Sequence, residues 1–254
     1  MYAEERQQAI AALLGQRGRL SVNELAERFE VTTETVRRDL SVLERAGVVR
    51  RVHGGAIPAS SSVLEIAVSE RDRAQSEEKD KIAAAALALL PPPGGSLILD
   101  AGTTTARLAA LIPPDHPLTV FTNAVPIAGR LAGLTGVELH LLPGRVRNTT
   151  QAAVGEETVA ALNLLRTDVA FVGTNGLSVG HGLSTPDASE AAVKRAMVRS
   201  ASHVVVLADS SKIGNENTVR FAELADIDVV VTDPGISARD RKRLSSRDVE
   251  VVVA

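Results

Sequence analysis

The chain has 254 residues, 44% hydrophobic and 23% charged, which suits one or two globular domains and excludes disordered, fibrous and membrane-spanning classes. A net charge of −3 excludes a surface that is basic throughout, and the absence of cysteine excludes disulfides, thiolate catalysis and cysteine-based zinc sites. The five histidines are scattered without close ligand spacing, so neither a metal nor a cofactor is expected.

Residues 1–8 carry two acidic groups and no apolar core, unlike a secretory signal, and the apolar stretch 82–90 is too short to span a bilayer. A cytoplasmic location without membrane association is therefore expected. Charge divides unevenly: residues 1–57 carry +1 and the remainder −4, so any positive field is local to the front.

Residues 1–57 read as three helices and a β-ribbon. A first helix spans 3–16, with Ile10, Leu13 and Leu14 on one face. Ser21 caps a second helix, with Glu24 three residues on completing a capping box and Val22, Leu25, Ala26 and Phe29 forming its stripe. After a tight turn at Glu30–Val31, Thr32 caps a third helix that buries Val36, Leu40 and Leu43 and stops at Gly47. Residues 48–57 alternate around Gly54 and Gly55 as a short hairpin. Burying one stripe of the third helix leaves Glu34, Arg38, Ser41 and Arg45 on the opposite face, free to enter a major groove, where arginine reaches guanine O6 and N7. The DNA-contacting candidates are Ser21, Thr32, Thr33, Thr35, Arg37 and Arg38, with Arg51, His53 and Gly54 from the wing. Exposed aromatics suited to stacking RNA are missing: Tyr2 and Phe29 are the two in this segment, and Phe29 falls on the apolar stripe.

Residues 58–74, beginning with the small polar run 58–62, form the expected linker to a domain over 75–254. Strands are expected at 97–100, 119–122, 139–142, 169–172, 204–208, 229–232 and 249–253. Helices are expected at 77–90, 106–111, 125–131, 156–164, 188–200 and 238–244. Unbroken Val/Leu/Ile runs alternating with helices predict a mostly parallel sheet covered on both faces, hence an α/β fold. After the first strand, Asp100–Thr105 (DAGTTT) places a glycine and three hydroxyls at a helix N-terminus, a setting that suits phosphate. Neither GxxxxGK[ST] nor GxGxxG is present. Polar clusters follow other strands too, at 122–124, 143–145, 173–176 and 208–212, the end of the sheet where open α/β folds bind ligands.

The run 21–56, with TVRRDL at 35–40 and RVHGGA at 51–56, resembles the N-terminal winged helix-turn-helix of the DeoR family of bacterial transcriptional regulators. SEEKDKIAAAA, ILDAGTTT, FTNA, FVGTNGLS, STPDASEAAVKRAM and ADSSKIG resemble that family's C-terminal sensor domain, so nearly the whole chain is covered. The resemblance implies a sensor related in fold to ribose-phosphate isomerases. It also implies a repressor of a sugar-catabolic operon, relieved by a phosphorylated sugar. Carried over position by position, the effector candidates are Asp100, Gly102, Thr103, Thr104, Thr105, Thr122, Asn123, Gly173, Asn175, Gly176, Glu190, Lys194, Asp209 and Lys212, with Lys212 as phosphate counter-charge. Resemblance to the fructose-operon branch makes fructose 1-phosphate the named effector candidate. Where the family often has Gly-Gly, this chain has Pro143, Gly144 and Arg145, an added guanidinium.

The partners expected are double-stranded operator DNA and a second copy in a homodimer or homotetramer, since such readers engage paired half-sites. The competing reading is a sugar-phosphate isomerase with an appended DNA-binding module. It lacks a positioned base, because the isomerases' DGAD-like phrase is replaced by GTNG at 173–176.

Overall fold

The computed structural model describes residues 3–17, 20–46, 48–52, 54–58 and 68–254, which fold as two compact units, 1–64 and 65–254. The first unit contains α1 (Ala3–Arg17), β1 (Leu20–Ser21), α2 (Val22–Phe29), α3 (Thr33–Arg45), β2 (Val49–Val52) and β3 (Gly55–Pro58). At the start of α2 the Ser21 hydroxyl accepts from the Glu24 amide at 3.1 Å, and the Glu24 carboxylate accepts from the Ser21 amide at 2.8 Å. Glu30 closes α2 in the left-handed region at φ 53°. Two residues later Thr32 accepts from the Thr35 amide at 3.2 Å, and the two caps together set the tight angle between α2 and α3. Ile10, Leu14, Leu25, Val36 and Leu40 are fully buried between the three helices.

The expected hairpin is the larger part of a three-stranded antiparallel sheet ordered β1-β3-β2. Strand β1 is two residues long, too short to show alternation, and it lies so near β3 that a Cβ on Gly55 would sit 2.2 Å from the Leu20 carbonyl oxygen. Gly47 and His53 lie outside the described residues. Arg51 has its backbone in β2, paired with Ala56.

A buried polar contact also holds this unit. Asp39, on α3 between the two candidate DNA-reading arginines and Leu40, accepts from Arg6 Nε at 2.6 Å and from Gln7 Nε2 at 2.9 Å. The hydrogen bond to Asp39 raises the Arg6 pKa against the cost of burial. One carboxylate thereby fastens α1 to the helix whose far face is exposed.

The second unit runs α4 (Val68–Arg73), α5 (Ser76–Ala86), β4 (Gly95–Leu99), α6 (Thr103–Leu111), β5 (Leu118–Thr122), α7 (Val125–Leu131), β6 (Val137–Leu141), β7 (Arg145–Arg147), β8 (Ala152–Val154), α8 (Glu156–Asn163), β9 (Thr167–Gly173), β10 (Gly176–Ser178), β11 (Gly182–Thr185), α9 (Ala188–Arg199), β12 (Ala201–Leu207), β13 (Val219–Ala222), β14 (Val229–Thr232), α10 (Ala238–Ser245) and β15 (Glu250–Val253). Seven strands form a parallel sheet ordered β15-β14-β12-β9-β4-β5-β6. One core layer joins its inner face to α5, α6 and α7, through residues such as Ile82, Leu108 and Ile127. The other joins the opposite face to α8, α9 and α10, through Leu162, Met197 and Leu244. Chain order proceeds outward from β4 in one direction and from β9 in the other, so the switch point lies between these two central strands.

Three expectations change. Residues 68–73 of the expected linker are helical, and Pro58 ends β3 rather than opening the linker. Helix α6 starts at Thr103, three residues ahead of the apolar pattern, so the threonine run forms its first turn. Strands β7, β8, β10, β11 and β13 were absent from the sequence reading, being only three or four residues each and partnered by one another outside the main sheet.

Replacing Asp39 by Ala should lower the stability of the first unit by about 1–3 kcal/mol, the range for a hydrogen bond to a charged group. Arg38→Ala, on the exposed face, should leave it unchanged. Calorimetry of the full chain checks both; an unshifted first transition in Asp39→Ala would remove the carboxylate from the fold's supports.

Candidate functional site

At the switch point the two central strands end side by side, and a cavity of about 320 Å³ opens beyond them. Its floor is an ion pair. The Lys194 ammonium, projecting from α9, meets the Asp100 carboxylate at the end of β4 and donates to the Gly173 carbonyl at 3.0 Å, while the Gly173 amide donates to Asp100 at 2.9 Å. Asp100 is 1% exposed and Lys194 5%. Burial pushes the Asp100 carboxyl upward and Lys194 opposes it.

One wall is the first turn of α6. Its N-cap, Gly102, is extended and supplies no side-chain acceptor. The amides of that turn and the hydroxyls of Thr103 and Thr104 are thus disposed toward an anion rather than capped from within. Thr105 instead donates its hydroxyl to the Gly102 carbonyl at 3.0 Å, and a Cβ on Gly102 would press on that oxygen at 3.0 Å.

The other walls carry charge of both signs. Glu190 accepts from Arg147 of β7 at 2.6 Å and from the Thr150 hydroxyl, and Arg147 reaches Asp187 at 3.3 Å, so α9 is bound to the β7–β8 hairpin. Asp209 is held by the Ser211 amide at 3.1 Å and by the Ser211 hydroxyl. Lys212 lines the cavity without an ion pair among the described residues. Each of the Glu190 and Asp209 carboxylates therefore has one oxygen held by protein donors, whereas Lys212 has no ion pair among the described residues.

Of the expected effector residues, the structure brings ten to the cavity: Gly102, Thr103, Thr104, Thr105, Gly173, Asn175, Glu190, Lys194, Asp209 and Lys212. The other four stand behind it. Asp100 lies beneath Lys194. Thr122 donates to the Leu99 carbonyl at 2.7 Å and accepts from the Ala124 amide. Asn123 bonds the Ala101 amide at 3.1 Å and the Ala153 carbonyl at 3.0 Å, stitching β4 to β8. Gly176 is required for packing, since a Cβ there would meet the Asn215 carbonyl oxygen at 2.5 Å. Arg145 is exposed on β7 and does not line the cavity.

Two cations were missed, Arg71 and Lys79, both from the α4–α5 region. Lys79 is 4% exposed and donates to the carbonyls of Arg71 and Ala74, and burial lowers its pKa while Asp209 opposes the shift. Its signal in the sequence is a lysine in register with Ile82, Ala83 and Ala86, on the buried stripe of α5. Arg71 keeps a buried Nε without an acceptor among the described residues. Arg107 of α6 fastens this region from outside the cavity, bonding Asp80 at 2.7 Å, the side chain and carbonyl of Asp72, the Ser76 hydroxyl and the Thr103 carbonyl.

In the first unit, Arg37 and Arg38 are exposed on α3, as are Glu34 and Arg45. Arg37 is 3.5 Å from Glu34, and Arg38 makes no ion pair among the described residues. Ser21 and Thr32 are occupied as caps. Among the described residues no cluster of three or more His, Asp or Glu is placed to hold a metal, and no helix is long and apolar enough to cross a membrane.

Comparison with known proteins matches residues 6–62 to the DeoR-like helix-turn-helix domain and residues 74–234 to the DeoR C terminal sensor domain. The HTH-type transcriptional regulator GlpR of Haloferax volcanii is 36% identical over 99% of this chain and 98% of its own. The glycerol-3-phosphate regulon repressor of Escherichia coli K12 is 32% identical over 92% of both. Among solved structures, ribose 5-phosphate isomerase A of Methanocaldococcus jannaschii aligns over 55% of each chain with 16% identity and a TM-score of 0.41, too slight a likeness to carry an argument.

Removing one member of the cavity's floor should be costly. Lys194→Met should lower sensor stability by about 3–5 kcal/mol, because the buried Asp100 loses its counter-charge and keeps only the Gly173 amide. Lys194→Met with Asp100→Asn should recover at least half, read as the urea midpoint; strictly additive losses would show that the pair does not act as a unit.

Proposed function

Because the chain belongs to the DeoR family of transcriptional regulators, we propose that it represses a sugar-catabolic operon and releases the operator when a phosphorylated sugar or polyol fills the cavity. The observation that carries this reading is that the first turn of α6, with no side-chain cap, lines one cavity together with Lys212, Lys79 and Arg71. A helix N-terminus and several cations make a phosphate subsite, and Glu190, Asp209 and Asn175 offer acceptors for hydroxyls. The family of the relative that represses the glycerol-3-phosphate regulon supports a small phosphorylated effector, and fructose 1-phosphate is our other candidate. The protein acts as a cytoplasmic dimer or tetramer, with α3 in the major groove of each half-site.

It is not an enzyme in this reading. Isomerisation needs a carboxylate positioned as a base, and the turn at 173–176 after β9 reads GTNG, with no acid.

Effector binding shifts the protein between DNA-competent and DNA-incompetent states by preferring one of them. Thermal-shift titration with fructose 1-phosphate, glycerol 3-phosphate, other sugar phosphates, their unphosphorylated forms and inorganic phosphate tests the ligand. One phosphorylated compound should raise the melting temperature, with stabilisation near 3 kcal/mol at a hundred times its Kd, and Lys212→Ala should abolish the shift. Gel shift on DNA selected from a random pool should then show release by that compound. Absence of a stabilising phosphate ester, or a hit that leaves DNA binding unchanged, would overturn the reading.

For the DNA contact, Arg38→Ala should weaken specific binding by about 1–3 kcal/mol, the worth of a bidentate guanine contact. Unchanged affinity would move the base contact to another side chain.

A further inference from the structure

Strand β6 ends the seven-stranded sheet, and among the described residues no strand pairs with its outer edge. The hydrogen bonds at its two ends fix which residues face inward: the Leu118 amide donates to the Gly136 carbonyl at 3.0 Å, and the Leu142 amide donates to the Thr122 carbonyl at 2.8 Å. Backbone direction alternates along a strand, so the even-numbered residues of β6 serve β5, and the amides and carbonyls of Leu139 and Leu141 point to the free edge. Exposed edges are ordinarily blunted by proline, lysine or a bulge. Residues 137–141 contain neither proline nor lysine, and the pairing with β5 is regular throughout. Leu141, at the end of this edge, is 54% exposed.

The side chains of β6 are complementary to themselves. Val137, Leu139 and Leu141 lie on one face; Glu138 and His140 share the other, 3.1 Å apart, with His140 stacked on Phe121 at a 4.6 Å centroid separation. When a second β6 runs antiparallel with Leu139 opposite Leu139, Val137 falls opposite Leu141 and Glu138 falls opposite His140, twice each by symmetry. Sliding the pair to either adjacent register that keeps outward-facing groups opposite one another sets Glu138 against Glu138 or His140 against His140. One register therefore pairs acceptor with donor and covers the exposed leucine, while its neighbours oppose like groups.

We propose that β6 is a two-fold self-association edge, on which a second copy of this chain adds its own β6 antiparallel, centred on Leu139, to continue the sheet across the dimer. The choice of a second copy over another partner rests on the proposed DNA-binding role, which calls for two readers on paired half-sites, and on the self-complementary order of residues 137–141. The centred pair makes reciprocal bonds between the two Leu139 backbones. It adds a bond from each Leu141 amide to the partner's Val137 carbonyl; the Val137 amide is already bonded to Leu134 at 3.2 Å.

The 254 residues contain no cysteine, which makes a direct test clean. Directly opposed hydrogen-bonded residues have Cα atoms about 5.5 Å apart, with Cβ atoms too far apart for an unstrained disulfide but within the span of a short bis-maleimide. Leu139→Cys should therefore crosslink to a covalent dimer with that reagent, whereas Val125→Cys, exposed elsewhere on the same unit, should not. By analytical ultracentrifugation Glu138→Arg should raise the dimer dissociation constant about tenfold. The exchange Glu138→His with His140→Glu should restore it to within about threefold. A chain that is monomeric at micromolar concentration, a Leu139→Cys chain that the bis-maleimide leaves monomeric, or a Glu138→Arg dimer as tight as the parent would overturn the proposal. Thermal-shift titration of the same variants with the phosphate-ester hit separates the two readings, since the cavity and the β6 edge share no residue.

Discussion

The bond between Lys194 and Asp100 is the contact on which the sensor's arrangement depends. It joins α9 to the end of β4, and through Gly173 to the end of β9, so the two strands on either side of the switch point are tied by one buried ammonium. A switch point leaves a crevice in any doubly wound sheet, because the connections leave in opposite directions. Here the crevice is floored by a charge pair rather than apolar side chains. That choice is expensive in isolation, and it holds only because Asp100 also receives an amide and Lys194 also donates to a carbonyl.

The same economy of partners runs through the cavity. Glu190 and Asp209 are adjacent to the space but already bound, by Arg147 with Thr150 and by Ser211 respectively. The cations are less fully used: Lys212 lacks an ion pair among the described residues, and Arg71 retains a buried unpaired Nε. An anion entering there meets unsatisfied donors beside carboxylates whose charge is partly offset by protein donors. The electrostatic character of the site thus comes from which charges are spent on the fold, not from the count, which includes acids and bases alike.

Helices α4 and α5 give the cavity its remaining wall; α5 is seated in the core by Ile82, Ala83 and Ala86, and a set of polar bonds from Arg107 adds to that anchoring. Arg107 directs its guanidinium to Asp72, Ser76 and Asp80 while keeping a bond to its own helix at Thr103. The first turn of α6 and the chain that follows the DNA-binding unit in sequence are therefore attached to one side chain. A change at the α6 turn has a short mechanical path to α4.

Period and capping in the amino-acid sequence by themselves determined the three helices of the first unit and the seven parallel strands, while the family resemblance of its motifs named ten residues that line the cavity. Each rests on a local signal: Ser21 with Glu24, Thr32 before Val36, uninterrupted valines, or a glycine and threonines after a strand. Tertiary structure alone decided the rest, because those features depend on residues distant in the chain. Thr122 and Asn123 sit after a strand exactly as ligand groups do, yet their side chains are consumed by Leu99, Ala101 and Ala153. Arg71 falls in the segment with linker composition, and its place on the cavity wall comes from the fold of α4 and α5 against α6. The edge position of β6 is equally invisible in sequence, since a strand's own pattern does not state whether a neighbour lies on one side or two.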